Sequence, residues 1–179
     1  MNAAEIKARH ILIKEYTYIP APIEKGYNNR TLHINLSDNT IKEKPVSEQM
    51  KEKFIGGKGF GLRLLWDATK PDTQWNDQEN EIVISPGPVA RITQYSGTGK
   101  SLVVAISPQT DIVIDSNVGG YFGPYMKFSG FDALEIQGKA KKDVIIFIDG
   151  VNAKISIEEA PNESVDSHIL AEELTEMYA

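Results

Sequence analysis

Apolar and polar residues alternate through residues 31–42 (TLHINLSDNTIK) and break at Ser37-Asp38-Asn39, which predicts a strand, a turn and a second strand. From Ser47 to Lys53 the pattern turns polar and helix-prone, with Ser47 placed to cap it. A glycine-rich element, Gly56-Gly57-Lys58-Gly59-Phe60-Gly61, leads into Leu62, Leu64, Leu65 and Trp66, spaced as the apolar stripe of a helix. Ile82-Val83-Ile84 reads as a buried strand that Pro86-Gly87-Pro88 stops. The order then recurs. Residues 101–106 (SLVVAI) predict a strand, Ser107-Pro108-Gln109-Thr110 a turn, and Ile112-Val113-Ile114 a strand. Gly119-Gly120 precede a short helix around Pro124 to Phe128, and Ala133-Leu134-Glu135-Ile136 returns as a strand. Val144 to Ile148 and Lys154 to Ile157 make a final hairpin about Asp149-Gly150. Strand–turn–strand, a Gly-Gly element, a helix and a strand thus occur twice, which suggests an internal duplication. The expectation is an α+β domain with two related β-sheets and short helices around a shared central groove.

The two ends differ from this body. Residues 1–26 form an N-terminal extension in which Ile11, Ile13 and Ile19 alternate with polar or aromatic residues before Pro20-Ala21-Pro22 enforces extended backbone. It reads equally as an edge strand of the same domain or as an arm lying on a partner. Residues 27–161 are the expected domain. Residues 162–179 read as a C-terminal amphipathic helix from Ser164 to Ala179, with Ile169, Leu170, Leu174 and Met177 on one stripe.

Composition narrows the chemistry. The 179 residues are 41% hydrophobic and 25% charged, a balance that supports a packed core rather than disorder. A net charge of -6 argues against a nucleic-acid partner. Without cysteine, the chain offers neither disulfides nor thiolate ligands for zinc or an iron–sulfur cluster. His10, His33 and His168 are too scattered to suggest a histidine metal site. Charges at Glu5, Lys7, Arg9 and Lys14 interrupt any secretory signal, and no apolar run approaches the roughly 20 residues of a membrane span, so a cytoplasmic protein is expected.

Two motifs invite a nucleotide reading and fail. Ser96-Gly97-Thr98-Gly99-Lys100-Ser101 resembles the end of a P-loop, but Gln94 stands where the first glycine is needed and a β-branched run follows where a helix should begin. Around Gly57-Lys58-Gly59-Phe60-Gly61, Leu62 or Leu64 occupies the third position of a dinucleotide fingerprint, and no strand feeds the turn. Glycine here serves tight packing, positive φ, or the close approach of backbone to a flat ligand.

The ordered series is more specific than its members. Arg30 to Ser37, Phe54-Ile55-Gly56-Gly57-Lys58-Gly59, Ser85-Pro86-Gly87-Pro88 and Gly97-Thr98-Gly99-Lys100 come first. Ser107-Pro108-Gln109-Thr110, Asn117-Val118-Gly119-Gly120-Tyr121-Phe122-Gly123, Gly130-Phe131-Asp132-Ala133 and Gly138-Lys139-Ala140 follow. Over about Tyr27 to Pro161 this run resembles the N-terminal domain of the tungsten-dependent aldehyde:ferredoxin oxidoreductase family. The resemblance implies a saddle of two sheets carrying a tungsten or molybdenum bis-pyranopterin. It implies that Lys100 meets a pterin phosphate, where the family often has Arg; lysine supplies the charge without the bidentate fork. It also implies that the Asn117 backbone carbonyl helps hold a magnesium ion (Mg2+) bridging the two pterin phosphates, and that Gly119 lets backbone approach the cofactor. Read without the resemblance, these are an exposed loop lysine, a turn-forming asparagine and a glycine set by its φ.

Members of this family are much longer and carry the cysteine ligands of a [4Fe-4S] cluster and their catalytic acidic and histidine residues in later domains. The resemblance therefore implies no catalytic residue within this chain. It implies a split enzyme or a fragment, with Met1 and the extension favouring a small subunit beside a cysteine-containing large catalytic subunit. Such a complex would oxidise a small aldehyde to its carboxylic acid and pass electrons to ferredoxin through the partner cluster. Two alternatives stay open: a non-catalytic pterin-binding or scaffold protein, and a subunit of a related aromatic acyl-thioester reductase.

Overall fold

The computed structural model describes residues 5, 10–92, 94–160 and 166–178. Strands β1 (Leu12–Thr17), β2 (Arg30–Asn35) and β3 (Thr40–Pro45) are followed by helices α1 (Glu48–Phe54) and α2 (Lys58–Ala68). Next come β4 (Glu81–Pro86), β5 (Ser101–Ile106), β6 (Val113–Val118), α3 (Phe122–Phe128), β7 (Leu134–Gln137), β8 (Val144–Asp149), β9 (Lys154–Glu159) and α4 (Ser167–Tyr178). The result is an α+β fold with two sheets, one of six strands in the order β3-β2-β7-β4-β5-β6 and one of three in the order β1-β9-β8.

Alternation sorts the large sheet into two faces. Leu32, Ile34, Ile41 and Leu134 face the small sheet, whose Ile155 and Ile157 meet them in the main core together with Tyr18, Met126 and Phe131. Val83, Val104, Ile106 and Ala133 share a second, smaller core with Leu65 of α2. The layers therefore run α1–α2, large sheet, small sheet, α4. Two departures from the sequence pattern have a steric cause. Trp66 is 76% exposed and Leu62 39% exposed, while Phe60, Gly61 and Leu65 are buried. A Cβ on Gly61 would lie 2.5 Å from Val104 Cγ2, so α2 lies against the sheet along its glycine and Trp66 turns outward.

Both units of the suggested duplication lie in the large sheet rather than in one sheet each. Strand order is palindromic about the β4–β7 seam, with β2–β3 at one edge and β5–β6 at the other. Direction breaks the symmetry: β2 runs parallel to β7, whereas β5 runs antiparallel to β4. The small sheet is built from the segments that flank the repeat.

β1 of the N-terminal extension is the edge of the small sheet, antiparallel to β9. Tyr18 is buried behind it and donates its hydroxyl to the Ser129 carbonyl at 2.7 Å. Arg30 holds the next turn by donating to the Ile19 carbonyl at 2.8 Å and pairing with Glu43. Ser47 caps α1, accepting from Met50 N–H at 3.1 Å. Asp166 does the same for α4, accepting from His168 and Ile169. Met177 buries against the small sheet while Tyr178 stacks on Phe147 at 4.2 Å. The Ser164 start expected for this helix, and Ala179 at its end, lie outside the described residues.

The junction of α3 with the 26–28 loop and the entrance to β7 is ionic. Lys127 of α3 and Asp132, each 2% exposed, pair at 2.5 Å. Lys127 also donates to the Gly26 carbonyl at 2.6 Å, and Asp132 accepts from Asn28 N–H at 3.0 Å. Burial pushes the Lys127 ammonium below the usual lysine range, and the Asp132 charge opposes that shift. Asp132→Ala would leave this ammonium buried without its counterion. Its urea midpoint is expected to fall by the equivalent of about 3–5 kcal/mol, and the Lys127→Met/Asp132→Asn double variant to lose less.

Candidate functional site

β5 and β6 pair antiparallel from Ile106 opposite Val113 to Ser101 opposite Val118. Carried past its end, this register sets Lys100 opposite Gly119 and Gly99 opposite Gly120. Contacts agree with that placement. A Cβ on Gly119 would sit 3.5 Å from Lys100 Nζ, and one on Gly99 would fall 2.7 Å from the Gly120 carbonyl oxygen. Gly99 is therefore required by close backbone approach, and Gly120 by its φ of +91°.

Alternation then decides which side chains share a face. Lys100, Leu102 and Val104 of one strand, and Asp115 and Asn117 of the other, point toward α2. The residue pairs form successive rungs. On the first, Val104 and Asp115 lie beneath Gly61, and Asp115 receives Lys58 at 2.6 Å. On the second, Leu102 and Asn117 lie beneath the start of α2, where a Cβ on Gly57 would be 3.7 Å from Leu102 Cδ2. Lys100 and Gly119 form the third. The structure thus brings Lys100, Asn117 and Gly119 together on one exposed surface. Among the described residues Lys100 forms no ion pair.

The reverse face is closed. Ser101 is 1% exposed and packs against α3 at Gly123. At α3 the chain again shows apolar surface: Tyr121 is 76% exposed and Tyr125 63%. Ser101 opens a strand, so the lysine before it cannot work as a P-loop lysine at a helix start. Gly56 and Gly57 join two helices rather than a strand and a helix.

A second polar cluster lies farther along the α2 face. Glu135 accepts from Thr31 and pairs with Lys44 at 2.6 Å, and His33 lies 3.3 Å from Glu81. Glu81 and Glu135 are each 1% exposed. A cavity of about 350 Å3 opens beside Glu135 between α1, α2 and β3. Among the described residues no three His, Asp or Glu side chains converge as a metal site. Sequence reasoning missed these buried carboxylates and the Lys58–Asp115 pair. A signal for the latter existed, since Asp115 stands two residues before Asn117 on a strand and so faces the same way.

The chain matches the aldehyde ferredoxin oxidoreductase, N-terminal domain, family across residues 31–179. It belongs to that family. The tungsten-containing aldehyde ferredoxin oxidoreductase of Pyrococcus horikoshii is 37% identical over 130 residues, which are 73% of this chain and 21% of that protein. The aliphatic sulfonate oxidoreductase, WOR-like subunit, of Pyrococcus furiosus is 33% identical over 126 residues, covering 69% of this chain and 20% of the relative. Among solved structures, the active site complex BamBC of benzoyl coenzyme A reductase with 1,5-dienoyl-CoA aligns with a TM-score of 0.76 at 26% identity. That alignment covers 84% of this chain and 23% of that one. The chain spans about a fifth of the length of the curated relatives it matches. The three-rung face combines an exposed lysine that forms no ion pair among the described residues, bare backbone at Gly119 and open access. No helix among the described residues is long and apolar enough to cross a membrane.

The glycine that closes the reverse face makes a steric prediction. A Cβ at Gly123 would overlap Ser101 Oγ, so Gly123→Ala is expected to destabilise by about 1–3 kcal/mol. Adding Ser101→Ala, which removes that oxygen, should recover part of the loss in thermal denaturation.

Proposed function

We propose that this domain is the cofactor-binding base of a tungsten (or molybdenum) bis-pyranopterin oxidoreductase, with Lys100, Asn117 and Gly119 as its contact residues. The observation that carries the reading is their convergence on one open face, with Lys100 Nζ against a residue that has no side chain. The fit to a flat phosphorylated ligand is physical. Lys100 offers an unpaired ammonium for a phosphate, Gly119 leaves backbone uncovered, and Gly99 and Gly120 hold the neighbouring strands in contact. The Asn117 carbonyl is a hard oxygen of the kind magnesium takes alongside phosphate oxygens. When bound, the tungsten or molybdenum group supplies the two-electron chemistry, and this chain's residues hold and orient it.

On this reading the reacting groups and the [4Fe-4S] cluster belong to a cysteine-containing catalytic polypeptide, docked over the exposed aromatic surface at Tyr121 and Tyr125. The activity proposed is oxidation of a small aldehyde to its carboxylic acid, with ferredoxin taking the electrons. The similarity to the tungsten-containing aldehyde ferredoxin oxidoreductases supports it. A second reading, reduction of an aromatic acyl thioester, draws on the likeness to the benzoyl coenzyme A reductase complex.

The reading is tested by purifying the native complex and measuring tungsten, molybdenum and iron against this chain. One of the first two metals, with iron, is expected in stoichiometric amount; a stoichiometric complex lacking all three overturns the proposal. Dye-linked assays on an aldehyde panel and on aromatic acyl-CoA esters then separate the two reactions. Lys100→Met is expected to lower metal occupancy severalfold while leaving the thermal midpoint within about 1 °C, because an exposed unpaired lysine contributes little to folding.

A further inference from the structure

The three-rung face holds a second cation whose charge is engaged. Lys58 and Lys100 approach it from opposite sides of Asn117. Lys58 comes from the first turn of α2 and rests on Asp115; Lys100 comes from the strand opposite and rests against Gly119. Residues 115, 117 and 119 point the same way along one strand, so the two lysine positions are about 13 Å apart with Asn117 midway. Both lysines have the reach to close on a group seated at that midpoint. Asp115 is the one carboxylate on these rungs, and its ion pair is partly open to water: the Lys58 side chain is 57% exposed and that of Asp115 29%. A pair so exposed is weak, and a dianionic phosphate competes for the ammonium more strongly than one carboxylate does.

We infer that Lys58 is a second phosphate-binding residue of this site and that Asp115 is its exchange partner, holding the ammonium when no phosphate is present and releasing it when one binds. The inference rests on the cofactor-binding reading and extends it to two residues that reading does not use. Lys58 and Asp115 meet each other on the surface, so a purely structural pair would lose the same contact whichever partner was removed. An exchange device behaves otherwise. Removing Lys58 takes away a ligand for phosphate, whereas removing the Asp115 charge takes away a competitor.

The test uses the purified chain and inorganic pyrophosphate, followed by calorimetric titration at low ionic strength and by thermal denaturation. Lys58→Met is expected to weaken pyrophosphate roughly threefold to tenfold, and Asp115→Asn to tighten it by a similar factor. Both variants should show nearly equal, small changes in thermal midpoint. The opposite signs are the signature of exchange. If both variants shift affinity in the same direction, or neither shifts it, while Lys100→Met weakens binding, the inference is overturned and the cofactor site at Lys100 stands. If wild-type protein binds no pyrophosphate, or Lys100→Met leaves its binding unchanged, both the inference and the phosphate role of Lys100 fall.

Discussion

Lys127 and Asp132 are nearly sealed from water, and the position of the candidate site follows from how they are satisfied. An ammonium and a carboxylate are costly to bury, so each must be held by partners that cannot drift. Here those contacts join two places in the chain, the 26–28 loop with its Gly26 carbonyl and Asn28 amide and the α3 helix that carries Lys127, with Asp132 held through Oδ1. Asn28 adds donors to the Lys127 and Phe131 carbonyls, closing the turn at both ends of the pair. The pair thereby fixes α3 against the entrance to β7. With α3 fixed, Gly123 presses on Ser101 and lies close to the Gly99 carbonyl, which sets the point where β5 emerges from the sheet. Lys100 is the next residue out. A buried ion pair at the seam thus governs the direction of an exposed lysine on the opposite face of the sheet.

Glycine does the complementary work. On α2, Gly61 lets the helix lie on Val104, where a Cβ would lift it, and Gly57 before the helix takes a φ of +52°. Across the β5–β6 end, Gly99 and Gly120 let two backbones touch, so the loop before β5 and the loop after β6 form one continuous surface. Tight packing and a bare backbone are thus one constraint at this site. The same residues that seat α2 leave room beside Asn117.

Much of this was readable in the sequence. Alternation over Thr31 to Lys42 and over Ser101 to Ile106 marks real strands, because each has one face on a core, and Ser47 caps a helix because its hydroxyl has an amide to reach. The ordered glycine and proline motifs led to the family and to the three residues that share a face. What stayed hidden was whatever depends on long-range pairing. Strand direction is one case: β2 runs parallel to β7 while β5 runs antiparallel to β4, and no local pattern distinguishes them. The outward turn of Trp66 is another, since a helical stripe cannot reveal that a glycine edge will take the sheet. Lys127 and Asp132 left a trace, two opposite charges in the mostly apolar run from Tyr125 to Leu134, but a trace of burial names no partner.

The charge balance of the site face follows from the same geometry. On the α2 face of the large sheet Lys44 pairs with Glu135 and His33 lies beside Glu81, while Arg63 and Asp67 pair on α2 itself. Beyond these, Asp115 engages Lys58, and Lys100 is left over at the end of the ladder. On a chain with a net charge of -6, an uncompensated cation beside bare backbone marks where local electrostatics runs against the global charge. An anion drawn there meets one lysine at once and a second whose existing contact is weak and solvent-exposed. A neutral planar ligand would gain nothing from that asymmetry. A phosphorylated one gains from both lysines, and that asymmetry is the physical basis of the phosphate role proposed for this face.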